Sequence, residues 1–220
     1  MDLKKMVEDA EIFTGLYNDL TNLIDEYLEK YDAYKLKYSS KKYDWISSII
    51  DEFKEVYERH GFEVKEKKKC YDMAYGENCY LEYKAKLQNL EFELIGSGEK
   101  RTDKSIRFLQ TKPESATFNY ELYTDIEPYR IDFNIYEKSK YREKKLNIFN
   151  IDQIKDIKEN IKNSKYSVDE MKELLSIFKE EKVKLEHCKE EIDDNEFKGY
   201  IFNKSKRIYF NSLEELIEVL

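Results

Sequence analysis

The chain reads as an α+β protein in which an antiparallel meander of about six or seven strands is flanked by long amphipathic helices and followed by a C-terminal ββα unit. Three observations predict this. Apolar residues recur at heptad spacing over residues 3–38 and again over 168–192; the period falls to two between residues 62 and 137; and the links between those strands are too short to hold crossover helices. At 220 residues the chain can bury a core without disulfide or metal staples, and it is expected to form a single composite domain over 1–220, with a soft boundary near 138–150.

The first segment carries the strongest period. Leu3, Ala10, Tyr17, Ile24, Tyr31 and Tyr38 are seven apart, and Met6, Phe13, Leu20, Tyr27 and Tyr34 form the companion series. Leu16 and Leu23 widen the stripe beyond a two-stranded seam, which favours packing within the chain and a monomer. Homodimerisation through residues 3–38 is the competing expectation. A second helix fits 42–60, with Ile46, Ile49, Phe53, Val56 and Tyr57 on one face and Gly61 as terminator; a break at Ser39-Ser40 would make residues 1–61 a helical hairpin.

The sheet is expected over 62–137. Phe62 and Val64 alternate with charges, and Cys79, Leu81, Tyr83, Ala85 and Leu87 do the same. At Gln88-Asn89 the phase flips to Leu90, Phe92 and Leu94, which marks a tight turn or a bulge. Gly96-Ser97-Gly98 is a further turn. Alternating runs follow at 106–108, 116–122 and 129–135. Helices return over 150–192, opened by two capping boxes, Asn150 with Gln153 and Ser167 with Glu170. Glu181 is the one interruption of the second helix's apolar series, and that helix pairs naturally with the first. Residues 197–220 read as two short strands around Lys204-Ser205, then a helix started by Ser212 and Glu215.

Chemistry is scarce by comparison. There are two histidines, and His60 at a helix end and His187 beside Cys188 have no catalytic partner in the sequence; neighbours on a helix point about 100° apart, so His187-Cys188 is not a dyad. Cys70, Cys79 and Cys188 lack zinc spacing, and a hairpin turning at Gly76-Glu77-Asn78 would set Cys70 opposite Lys84. Asp125-Ile126-Glu127 and Asp193-Asp194-Asn195-Glu196 read as solvated acidic loops, without the ligand spacing of a calcium loop. No nucleotide-binding or nucleophile-elbow motif occurs. No catalytic residue, metal or cofactor is expected, and the chain is not read as an enzyme. A divergent enzyme would need carboxylates from separate strands to meet in a pocket.

The chain opens Met1-Asp2-Leu3-Lys4-Lys5 without an apolar leader, and no apolar run is long enough to span a bilayer, which predicts a cytoplasmic protein of a bacterial or infected host cell, with reduced thiols and no membrane partner. The wealth of Lys, Glu, Ile, Asn and Tyr suits an A+T-rich genome.

Charge gives the best functional hint. The net charge is −8, yet it is uneven: −5 over 1–61, +1 over 62–150 and −4 over 151–220. Basic residues cluster as Lys65, Lys67, Lys68 and Lys69, as Lys100, Arg101, Lys104 and Arg107, and as Lys138, Lys140, Arg142, Lys144 and Lys145. The alternative function follows from them: a nucleic-acid-binding protein using Lys67, Lys68, Lys69, Lys100, Arg101, Lys138, Lys140, Arg142, Lys144 and Lys145. Guarding of strand edges is the bland account of the same residues. Acidity and 19 tyrosines support the leading expectation, a protein-binding inhibitor, regulator or assembly adaptor docked on a larger, basic protein or ribonucleoprotein. A phage or mobile-element protein that blocks a nucleic-acid-handling host machine would have this profile.

Overall fold

The computed structural model describes residues 3–73, 76–97, 106–111, 118–139, 142–163, 165–203 and 206–219. It is mixed helix and antiparallel sheet. Helix α1 spans Leu3–Arg59, α2 Ile151–Lys162, α3 Val168–Asp194 and α4 Leu213–Val219. The strands are β1 Glu63–Met73, β2 Gly76–Leu87, β3 Leu90–Ser97, β4 Ile106–Thr111, β5 Phe118–Thr124, β6 Phe133–Ser139, β7 Arg142–Ile148, β8 Gly199–Asn203 and β9 Lys206–Phe210. Among the described residues, no helix is long and apolar enough to cross a membrane.

Contacts divide the chain into two compact units, where the sequence reading had one composite domain. Residues 1–37 and 128–195 form the first; residues 38–127 and 196–220 form the second.

In the first unit, α1 residues Leu20, Ile24, Tyr27 and Tyr34 are buried, as are Met171, Leu174, Phe178, Leu185 and Ile192 of α3 and Ile154, Ile157 and Ile161 of α2. The two capping boxes form as spaced, with Asn150 and Ser167 accepting from the backbone N–H of Gln153 and Glu170. Ion pairs Glu26–Lys182, Lys30–Glu186 and Lys37–Asp193 link α1 to α3 at one constant offset in sequence, so the two helices run in the same direction. Lys158 of α2 pairs with Asp25 of α1 at 2.5 Å.

The second unit buries one cluster. Ile46, Ile49, Phe53 and Tyr57 of α1 meet Tyr83, Ala85 and Leu94 of β2 and β3, Leu122 of β5, Ile201 and Phe210 of the β8–β9 hairpin, and Leu213 and Leu216 of α4. Glu52 of α1 accepts from the backbone N–H of Leu213 at 2.5 Å. Gly61, at φ +80°, ends α1 in the left-handed conformation expected of a terminator.

Three expectations need correction. Residues 1–61 are not a helical hairpin, because α1 runs unbroken through Ser39-Ser40. The cost of two serines in a helix is about 1 kcal/mol in total, which burial of Tyr38 and Ile46 on either side offsets. Nor is there a single meander of six or seven strands. β1 to β5 pair in order, β5 reaches the β8–β9 hairpin only through Tyr123↔Tyr200 and Thr124↔Gly199, and β6–β7 is a separate two-stranded sheet in the first unit. Thus three small antiparallel sheets replace the meander, since alternation decides which face a residue takes and leaves its neighbour open.

The third correction is in β1–β2. Met73 pairs with Gly76, so the chain reverses earlier than at Gly76-Glu77-Asn78, and Cys70 falls opposite Cys79 with Lys84 opposite Lys65. Cys70 is disulfide-bonded, contrary to the reduced thiols expected, while Cys188 is a free, half-buried thiol. Gln88-Asn89 resolves as a two-residue turn, with Gln88 at φ 51° and Leu87 paired to Leu90. Gly96 and Ser97, expected in a turn, are instead the last two residues of β3, in register with Leu81 and Tyr80, and Gly98, Lys204 and Ser205 lie outside the described residues.

Candidate interaction surface

The basic clusters are the first test of a site. Lys67 and Lys68 are exposed on β1, but strand period splits the run: Lys67 sits opposite Glu82 and Lys68 opposite Leu81, on opposite faces. Lys69 occupies the next position, opposite Tyr80, and its side chain lies outside the described residues. Lys100, Arg101, Lys104 and Lys140 lie outside them altogether. Lys138 is on β6; Arg142, Lys144 and Lys145 are on β7, where Lys145 is exposed and the other side chains are not described. Register sets Lys138 opposite Glu143 and Lys144 opposite Glu137, so two of the five residues of this cluster are matched with acidic residues across the hairpin. The cluster at 65–69 belongs to the second unit and that at 138–145 to the first.

On the outer face of β2–β3 the charges also compensate. Lys84 pairs with Glu91 at 3.3 Å, with Glu93, and with the buried Glu82 at 3.9 Å. The hydrogen bond with Glu93 leads in raising the Lys84 ammonium above its ordinary pKa.

A second charged constellation lies inside the first unit. Glu181 of α3 is 3 % exposed. The Tyr129 hydroxyl donates to its Oε2 at 2.5 Å and the Lys184 ammonium to its Oε1 at 2.6 Å. Since Tyr129 has spent its one proton on the carboxylate, the Tyr27 hydroxyl, 3.1 Å away, must donate to Tyr129. Tyr34 accepts from the Tyr129 backbone N–H at 2.7 Å. Burial is the main reason that the Tyr27 phenol is pushed up to about 12 and the Tyr129 phenol higher still, the latter reinforced by Glu181. Every oxygen of the carboxylate has a donor, so the group works as a buried strut. Among the described residues, no three His, Cys, Asp or Glu side chains gather as a metal site.

The arrangement with recognition chemistry is the outer face of β5–β8–β9, in the second unit. Register lines up Tyr123, Tyr200 and Tyr209 across the three strands, with Phe202 and Arg207 paired in the adjacent row. Tyr123 stacks on Tyr200 with ring centroids 5.3 Å apart, and Phe202 meets both edge-on at 5.5 Å. The Arg207 guanidinium lies 4.8 Å from the Tyr200 ring centroid and 6.0 Å from that of Phe202, and pairs with Glu127 at 3.6 Å. Phe202 is 48 % and Tyr209 51 % exposed, whereas Ile201 and Phe210, which point the other way, are buried.

Sequence reasoning read Tyr200, Phe202 and Tyr209 only as strand and singled out neither Tyr123 nor Arg207. Their signal was there: Tyr200-Ile201-Phe202 and Ile208-Tyr209-Phe210 are apolar at every position, and an antiparallel hairpin with one wet face should alternate. Two apolar faces on a surface hairpin leave one to be explained by something other than the core. No family model, no curated protein and no solved structure matches this chain.

Proposed function

We propose that this chain is a non-enzymatic protein-interaction module, an inhibitor, regulator or assembly adaptor, that docks the aromatic face of β5–β8–β9 on a larger basic protein. The observation that carries the reading is the Tyr123, Tyr200, Phe202, Arg207 and Tyr209 set. Tyr and Arg with a rigid aromatic neighbour are the composition of interface hot spots, because they bring large area and a polar tip at small entropy cost. The net charge of −8 favours a basic partner on approach. A host machine that handles nucleic acid offers such a basic surface, and occupying it would block the polyanion.

Nucleic acid fits this face less well. A stacking platform for bases works beside free cationic groups, whereas Arg207 is already committed to Glu127 and to two rings. The test is affinity capture from native extract with and without nuclease, repeated with Phe202→Ala/Tyr209→Ala, then titration against the purified partner. Nuclease-independent capture that the double variant weakens by about 30-fold or more, the scale of a hot spot of ~2 kcal/mol, supports the proposal. Recovery that disappears with nuclease transfers the face to nucleic acid, and unchanged affinity of the variant removes the face from the interface.

A further inference from the structure

The apolar cover of the β1–β2 hairpin ends before the hairpin does. Strand period puts Val64, Glu66, Lys68 and Cys70 on one face of β1, and register sets Ala85, Tyr83, Leu81 and Cys79 opposite them in turn. Ala85 and Tyr83 are buried in the core of the second unit, and Val64 and Leu81 pack against it half-buried, whereas Glu66, Lys68 and Cys70 are exposed. The cysteine rung therefore follows directly after the last rung that touches the core. Cys70 is disulfide-bonded and Cys188 is free, which leaves Cys79, its ladder partner and the third cysteine of the chain, to close the bridge.

We propose that the Cys70–Cys79 bridge is a redox modification site, opened by a dithiol and closed again by a linear disulfide, that latches residues 67–73 of β1 onto residues 76–82 of β2. In the opening step a thiolate of the dithiol attacks one sulfur of the bridge, and the S–S bond breaks with its electron pair on the other sulfur, which takes up a proton. The second thiol of the dithiol then displaces the first protein sulfur, so the protein gains two electrons and two protons and the reductant leaves as a cyclic disulfide. Two features fit a latch better than a staple of the fold. Cys70 is exposed, so a thiolate reaches the bridge without unfolding, and exposed bridges are the labile ones. What the bridge holds is also separable from the core. The base of the hairpin is tied to α1 by Lys54, whose ammonium pairs with Glu66 at 3.7 Å and lies 5.0 Å from the Tyr83 ring centroid, and Tyr83 and Ala85 keep their buried places in either redox state. Reduction then frees the outer rungs alone, which gives the two folded states that a switch requires. In the sheet order, β1 covers one edge of β2 while β3 pairs with the other, so freeing residues 67–73 bares the β2 edge at Tyr80, Leu81 and Glu82. An edge carrying the exposed Lys67 and Lys68 is exchanged for one without lysine at those rungs.

The experiment follows the bridge and the hairpin in the full chain. In a Cys188→Ser background, native and urea-unfolded protein are treated with dithiothreitol, quenched with acid and alkylated, and the reduced native chain is then exposed to glutathione disulfide. Hydrogen exchange is read on the oxidised chain, the reduced chain and Cys70→Ser/Cys79→Ser. The expected result is native reduction within about a hundredfold of the rate in urea, recovery of the same bridged species, and at least about tenfold loss of amide protection over residues 67–73 in the reduced and serine chains, with Phe53, Tyr83 and Ala85 unchanged. Native reduction slower than that limit would mean that the bridge is reached only through unfolding, and would overturn the proposal. So would unchanged exchange over residues 67–82, which makes the bridge a passive link, or loss of protection throughout the second unit, which makes it a staple; the reduced chain decides this if the serine variant does not fold. Neither readout involves β5–β8–β9, so both stand apart from the proposed function.

Discussion

Replacing Tyr129 by Phe removes one oxygen and keeps the ring, and the structure says what that oxygen does. It donates a charge-assisted bond of 2.5 Å to Glu181 and accepts from Tyr27, inside a unit where Glu181 is 3 % exposed. Losing a bond to a buried carboxylate costs about 1.5–3 kcal/mol, and the Tyr27 hydroxyl is orphaned as well, so the expected loss is about 2–3 kcal/mol. The same chemical change at Tyr57 should do the opposite. That hydroxyl is buried with no hydrogen-bond partner among the described residues, and its ring is held by Phe53, Phe62 and Phe92, so Tyr57→Phe removes a desolvation cost and leaves the packing. Urea unfolding followed by circular dichroism, with unchanged slope, reads both variants. A double-mutant cycle of Tyr129→Phe with Glu181→Gln should return a coupling of about 1–3 kcal/mol. If Tyr129→Phe stays within about 0.5 kcal/mol of the wild type, or Tyr57→Phe loses more than about 1 kcal/mol, the hydrogen-bond accounting is wrong.

Four further outcomes follow from the same structure. Gly199→Ala should destabilise by about 1–3 kcal/mol, because a Cβ there would run into the Phe210 ring in a buried pair; a melting temperature unchanged from wild type would contradict that contact. Maleimide labelling of the denatured, unreduced chain should count one thiol, Cys188, with Cys70 held by a bridge for which its ladder partner Cys79 is the residue placed to answer; three labelled thiols would rule the bridge out. Burial pushes the Tyr27 and Tyr83 phenols to about 12, above their ordinary value of 10, so the stability they add is complete below pH 10 and is lost as pH rises through 12; a stability already falling between pH 7 and 9 would disagree. Lys67→Thr/Lys68→Thr should raise light scattering on concentration and leave RNA and DNA binding as weak as before, and a salt-dependent loss of nucleic-acid affinity would restore the basic cluster as a site.

Much of the local structure was legible. Heptads located α1 and α3, the spaced Ser/Asn and Glu/Gln pairs located the starts of α2 and α3, and alternation located β2, β3 and the β8–β9 hairpin. What period cannot carry is partnership. The run 142–148 looked like a basic cluster because four of its seven residues are charged, yet Leu146 and Ile148 alternate within it and it pairs with 133–139. That pairing takes β6 away from the sheet it was assigned to. Glu181 showed as a flaw in a heptad for a similar reason: its partner Tyr129 is 52 positions away in sequence, and only the fold brings a donor to it. The aromatic face escaped notice because its residues are contributed by β5 and by β8–β9, and no spacing rule joins residue 123 to residues 200 and 209.

The two end strands of the second unit put the basic and aromatic residues in one frame. β1 is eleven residues long and β9 five, and each has a hydrogen-bonding edge with no strand on it among the described residues. A long open edge invites pairing with any extended chain, and the usual defence is lysine along it. Lys65, Lys67 and Lys68 are exposed on β1, which accounts for the run without a ligand. On β9 the defence is thinner: beside Lys206 and Arg207 stands Tyr209, half exposed, with Phe202 on the adjoining strand. Electrostatic guarding is costly to maintain next to a hydrophobic surface that serves nothing, since each exposed aromatic raises the chance of the association that the lysines prevent. The difference between the edges is what the proposed function requires: β1 carries lysines that keep it unpaired, and the β8–β9 hairpin would keep its aromatic face for the partner proposed to dock there.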